Sequence, residues 1–244
     1  MTTLQVWIRE ARGNETGFDA CALDFLGFAT HAESEAALIQ RIPSKFAWHC
    51  AWLERHGLPR PPPMERVEVA GRVAGNEVLF GTDRDPATPA EIDSTLRLLA
   101  CSRADLLGSL EALPRDAFDW DPPYAHFEAW ASWRTIRQIL AHIANTETRY
   151  YLPTIGHETR LAPASGEGDW RAYLAAHRAE TSACLELLRD SPDLLRLREE
   201  PDDQWSVRKV LRRLVWHELM HWKSIRRIAA EFDMAAQGGG PLSR

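Results

Sequence analysis

The chain has 244 residues, 45% hydrophobic and 26% charged, with a formal net charge of −6. This is the composition of an ordinary globular protein of one or two domains, with enough apolar residues for a sizeable core. The negative balance excludes a global attraction to nucleic acid or to an anionic membrane surface, and no apolar run approaches the roughly 20 residues of a membrane helix.

The first residues, Met1 to Trp7, lack the basic and apolar regions of a secretory signal. The four cysteines (Cys21, Cys50, Cys101, Cys184) are far apart and form no CxxC, so free thiols in a cytoplasmic protein are expected. Leu4, Val6 and Ile8 alternate with Gln5 and Arg9 in a first strand, interrupted by Trp7 on the polar side. A turn at Asn14–Gly17 leads to a second strand from Phe18 to Leu26, continued or ended at Gly27–Thr30. Ala32 to Arg55 changes to helical spacing, with Ile39, Ile42, Phe46, Cys50 and Leu53 inward and Pro43 a point where the helix kinks or divides. Glu65–Ala70 and Asn76–Phe80 are expected to be strands. Residues 1–83 are thus predicted to be a small β-β-α-β domain, and 84–87 a linker.

Four helices follow. Thr88-Pro89-Ala90-Glu91 has the residues of a capping box with proline in the first turn, opening a helix with Ile92, Leu96, Leu99, Leu106 and Leu110 on one stripe. Ser132 is expected to cap a second helix reaching Tyr151, its stripe running through Ile136, Ile139, Leu140, Ile143, Glu147 and Tyr150. A third spans Asp169 to Arg189. Ser206 caps a fourth, ending near Phe232, after a polar connection at Ser191–Gln204. The fold class is therefore α+β: a small N-terminal domain, then an all-α four-helix bundle over 88–232 and a flexible tail, 233–244.

Two histidines lie one turn apart on the last helix, in Trp216-His217-Glu218-Leu219-Met220-His221-Trp222. His221 falls on the apolar stripe and His217 beside it, so both face inward and are spatial neighbours. A lone inward histidine is usually a satisfied core residue. A pair in an apolar seam points to a shared metal ion. His142, at the margin of its own helix's stripe, is the third member of a facial set suited to Zn²⁺, Ni²⁺ or Fe²⁺. His177 faces inward on the third helix, as a ligand or as a donor to one. His126 lies in the long loop before the second helix, and Tyr150, Tyr173 and Trp133 are candidate pocket walls. His217-Glu218-Leu219-Met220-His221 also spells the H-E-x-x-H of zincin proteases, but little chain follows to supply a third ligand. Glu218 on an apolar stripe needs a partner, either a buried arginine or one of the histidines.

Two resemblances add to this reading. Leu23-Asp24-Phe25-Leu26-Gly27 and the helix after it resemble the HicB antitoxin-like fold, although no helix-turn-helix accompanies them. Residues 88–232 resemble the DinB/YfiT-like superfamily of metal-binding four-helix bundles, through Leu140-Ala141-His142-Ile143-Ala144 and through Trp205-Ser206-Val207 leading to His217-x3-His221. That second resemblance implies His142, His217 and His221 as metal ligands, a divalent ion, often a homodimer, and transfer or opening reactions with low-molecular-weight thiols. A metal-dependent thiol S-transferase or hydrolase acting on a small molecule is the leading expectation. A non-catalytic binding or regulatory protein with a structural metal is the alternative, and an H-E-x-x-H metalloprotease a minor one. The basic residues of the last helix, Arg208, Lys209, Arg212, Arg213, Lys223, Arg226 and Arg227, are expected to form a solvated face, the alternative being a site that attracts an anionic substrate such as a carboxylated thiol.

Overall fold

The structure is a computed structural model describing residues 3–13, 15–123 and 131–237. The chain is α+β and divides into two compact units, one formed by residues 1–95 and 192–216, the other by residues 96–191 and 217–244. No described helix is long and apolar enough to cross a membrane, and the four cysteines are free thiols.

The first unit is built on a four-stranded sheet of β1 (Thr3–Glu10), β2 (Phe18–Cys21), β3 (Ala29–Ala32) and β4 (Arg66–Ala74), in the order β3-β2-β1-β4. β1 pairs antiparallel with β2 and parallel with β4. The parallel pair requires a crossover, which the chain makes through α1 (Glu35–Arg55). Ala29–Ala32, expected to extend or end the second strand, is a strand of its own. Leu4, Val6 and Ile8 turn one face of β1 into the core, against Leu38, Ile42, Phe46 and Cys50 of α1. Ser34 caps this helix, accepting from the Ala37 N–H at 3.3 Å, and Pro43 is accommodated inside it without dividing it. Leu38 takes the inward position expected for Ile39, which is exposed.

Trp7, which broke the alternation of β1, is housed on the sheet's other face. A Cβ at Gly71 or at Gly81 would lie 2.3 Å from its indole, so two side-chain-free positions make room for the ring. Asn76–Phe80 carries only an isolated bridge, between Glu77 and Asp203, rather than a strand. The polar stretch Ser191–Gln204 holds an unexpected hairpin, β5 (Arg198–Glu200) with β6 (Asp203–Trp205).

The helical bundle uses α2 (Pro89–Glu111), α3 (Ile136–Asn145), α5 (Trp170–Arg189) and α6 (Val207–Ala236), with a short α4 (Leu152–Thr154). Local capping sets the helix starts. The Thr88 hydroxyl accepts from the Glu91 N–H at 3.2 Å while Glu91 accepts from the Thr88 N–H at 2.7 Å. Asp169 accepts from the Arg171 N–H at 3.0 Å, and Ser206 from the Lys209 N–H at 3.2 Å. The second bundle helix starts later than expected. Thr135 and Gln138 form a reciprocal capping box, so Thr135 rather than Ser132 is the cap.

α3 does not run on as an α-helix. Thr146–Tyr151 forms a π-helical turn before α4. The wider turn holds one extra residue, which shifts the helical spacing that had put Tyr150 inward. Tyr150 is 45% exposed and Tyr151 is 1% exposed.

Candidate metal centre

His142 lies near the end of α3, and His217 and His221 lie on successive turns of α6. Their Nε2 atoms converge. Nε2 of His217 is 3.0 Å from that of His142 and 3.1 Å from that of His221. One nitrogen from each residue falls within a set no wider than 4.8 Å. His217 and His221 are buried and His142 is half-buried.

These contacts do not work as a set of hydrogen bonds. A neutral imidazole carries one N–H, which points along one in-plane direction. Nε2 of His217 therefore satisfies at most one of its two close nitrogen neighbours. Protonating His142 or His221 is no remedy. Burial pushes the His142 imidazole down to about 4, and burial together with His142 pushes His221 well below its ordinary value. Neutral imidazoles whose lone pairs converge are the form in which histidine binds a metal. A zinc–imidazole bond of about 2.0–2.1 Å puts two ligands of one ion roughly 3 Å apart, the spacing observed. The donor set therefore fits a divalent ion.

The surroundings orient the rings. Trp133 stacks on His142 with centroids 3.5 Å apart and planes 15° from parallel. The Thr146 hydroxyl lies 3.4 Å from Nδ1 of His142. Tyr151, turned inward by the π turn, meets the His217 ring edge-on with centroids 5.7 Å apart.

Glu218 is 1% exposed, and its partners are arginines. Arg103 Nε donates to one carboxylate oxygen at 2.5 Å, and Ser102 Oγ (2.8 Å) and Arg178 donate to the other. The same two arginines hold Glu147, from Arg103 Nη2 at 2.8 Å and Arg178 Nη2 at 2.6 Å. Their remaining donors reach the Leu174 and Leu99 carbonyls, both at 2.6 Å. Each of the four charges comes from a different stretch of the bundle: Arg103 from α2, Glu147 from the π turn after α3, Arg178 from α5 and Glu218 from α6. The quartet is neutral as a whole. Burial alone would push the Glu218 carboxyl up, but Arg103 and Arg178 outweigh it and hold it at about 2. A carboxylate that weakly basic, with both oxygens engaged, does not act as a general base. The His-Glu-x-x-His string therefore supplies no protease base here.

The other candidates are not brought into the cluster. His177 pairs with Thr148, Nδ1 to Oγ1 at 2.7 Å. Tyr173 is half-buried, with its hydroxyl 3.5 Å from the Arg137 carbonyl oxygen, and burial pushes it up to about 12. Tyr150 is on the surface, its ring centroid 5.4 Å from that of Tyr151. His126 lies outside the described residues. Sequence reasoning missed Arg103 and Arg178, although both left a signal. Arg103 sits between Leu99 and Leu106 at the spacing of an apolar stripe, and Arg178 lies four residues after Leu174.

A family model described as the DinB superfamily matches residues 102–225. No curated protein matches the chain. Among solved structures, the chain is similar to one described as YfiT from Bacillus subtilis, a probable metal-dependent hydrolase with an unusual four-helix bundle topology. The two share 19% identity with a TM-score of 0.45, over 67% of this chain and 95% of that one.

Proposed function

The chain belongs to the DinB superfamily, whose model spans just over half of it, and from that premise we propose that it is a divalent-metal-dependent enzyme that hydrolyses a small molecule or transfers a low-molecular-weight thiol to one. The observation that carries this reading is that Nε2 of His217 lies 3.0 Å from that of His142 and 3.1 Å from that of His221, with one nitrogen of each of the three within 4.8 Å of the others. His142, His217 and His221 would hold the ion. Three imidazoles leave coordination positions open, and an ion held so lowers the pKa of a water or thiol that joins it and supplies a nucleophile near neutral pH.

The chain's own residues prepare that chemistry. Burial keeps His142 and His221 deprotonated at neutral pH. Trp133 covers one face of His142 and limits the water on that side. The Glu218–Arg103–Arg178–Glu147 quartet fixes α6 against the other helices, so that His217 and His221 keep their aim. The quartet already ties four stretches of helix together without an ion, which favours a working metal over a structural staple.

The test is turnover. Metal-loaded protein is given a panel of activated esters and amides, and a panel of electrophiles with low-molecular-weight thiols. Activity in one panel that falls at least a hundredfold in His217→Ala and in His142→Ala, with helical content retained, is the expected result. No turnover in either panel, or full turnover in both variants, contradicts the proposal.

A further inference from the structure

The basic residues at the start of α6 are not the solvated face that their spacing suggests. Lys209 is 1% exposed, and the side chains of Arg212 and Arg213 are 12% and 14% exposed. All three line a pocket in the first unit, together with Arg9 of β1 and the apolar side chains Phe25, Phe28 and Phe80.

Buried cations require acceptors, and the acids nearby are already committed. Glu77 takes Lys209 Nζ at 2.7 Å and Arg213 at 2.8 Å. Asp19 takes Arg9 and, at 3.0 Å, His31. Asp83 takes Arg212 through Nε at 3.0 Å and Nη2 at 2.6 Å, and also accepts from the Phe80 N–H at 2.9 Å. Arg212 still has donors to spare. Its Nη1 has no acceptor among the described residues, and its guanidinium carbon lies 4.4 Å from the centre of the Phe80 ring.

The pocket wall carries four cationic side chains, and carboxylates match them: Asp19 and Glu15 on Arg9, Glu77 on Lys209 and Arg213, and Asp83 on Arg212. What the pocket offers is therefore an unfilled donor on Arg212, not an excess of charge. Burial pushes Lys209 down to about 7 despite its ion pair with Glu77, and Arg213 and Arg212 push in the same direction.

We propose that this pocket binds a small organic monocarboxylate, its carboxylate on the free edge of Arg212 and its hydrocarbon body against Phe25, Phe28 and Phe80. A guanidinium edge matches the planar, two-oxygen geometry of a carboxylate. An apolar wall with a few converging polar groups is the usual make-up of a small-molecule site. An organic cation would bring no acceptor for the open donors of Arg212. An inorganic anion would satisfy Arg212 and leave the aromatic wall unused.

Calorimetric titration of the full chain with acetate, butyrate, phenylacetate, inorganic phosphate and benzylamine separates these cases. Saturable binding of butyrate or phenylacetate, at least tenfold tighter than phosphate or benzylamine, is the expected result. Arg212→Gln should weaken it at least tenfold. Because that change strands the buried Asp83, Ala29→Leu is the second variant: it fills the pocket from β3 without removing a charge, and should weaken binding as much. Arg226→Gln, an exposed cation further along α6, should leave it unaltered. Absence of saturable carboxylate binding, equal binding of phosphate, or unchanged binding in folded Ala29→Leu protein would each overturn the proposal.

Discussion

Glu218 sits between two histidines in the sequence, yet its carboxylate belongs to Arg103 and Arg178. Successive residues of an α-helix point about 100° apart, so neighbours in a His-Glu-x-x-His string serve different faces. The consequence is energetic. Two buried arginines and two buried glutamates satisfy one another, and removing one leaves its partners charged and uncompensated. Arg178→Met should therefore lower stability by about 3–5 kcal/mol, read from urea denaturation; a loss under 1 kcal/mol would mean the quartet contributes little.

The titration of these residues gives a second expectation. An unfolded chain takes up a proton on His142 below its ordinary value of 6.5, while the folded chain resists until about 4. Metal-free protein should therefore lose stability as pH falls from 6.5 towards 4. Glu218 acts in the same direction at lower pH. Its folded value of about 2 lies below its ordinary 4.5, so its stabilisation is complete above 4.5 and is lost as pH falls towards 2. Urea midpoints at pH 7.5, 5.5 and 3.5 should decline in that order, and a flat series would contradict both assignments.

At the scale of elements, local signals were legible in part and what is negotiated between elements was not. The caps at Thr88 and Ser206 can be read from a few adjacent residues, because the hydrogen bonds that make them are short-range; the Thr135–Gln138 capping box is as local, but Ser132 three residues earlier offers a competing cap residue. The π turn at Thr146–Tyr151 left no compositional mark. It exchanges which tyrosine faces inward, and helical spacing cannot announce an extra residue in a turn. The hairpin at Arg198–Trp205 escaped notice for another reason: β5 is wholly exposed, so it shows no apolar alternation.

Trp7 is a case where sequence posed a question that only packing answers. Its ring occupies space left by Gly71 and Gly81, and Gly71 is its paired position on β4. Gly71→Ala would drive a methyl into the indole, and overpacking of this kind costs about 1–3 kcal/mol. A lowered thermal midpoint with an unchanged fold is expected; an unchanged midpoint would mean that Trp7 moves aside freely.

For the molecule as a whole, the histidine site was more legible than the pocket of the first unit. The His217–His221 pair announces itself by spacing and by an apolar setting. His142 needed the family pattern, since its own helix puts it at the stripe's edge. The basic start of α6 could not be read in the same way. Cations along a helix look the same whether they meet water or buried carboxylates, and Glu77 and Asp83 lie more than a hundred residues away in sequence.

The central claim is that His142, His217 and His221 hold one divalent ion. Elemental analysis of protein grown with zinc, nickel and iron, joined to X-ray absorption at the edge of the metal found, addresses it directly. One ion per chain with three imidazole nitrogen ligands, lost in His217→Ala, is the predicted result. Protein that takes up no stoichiometric metal, or that keeps it unchanged when any of the three histidines is replaced by alanine, would contradict the account.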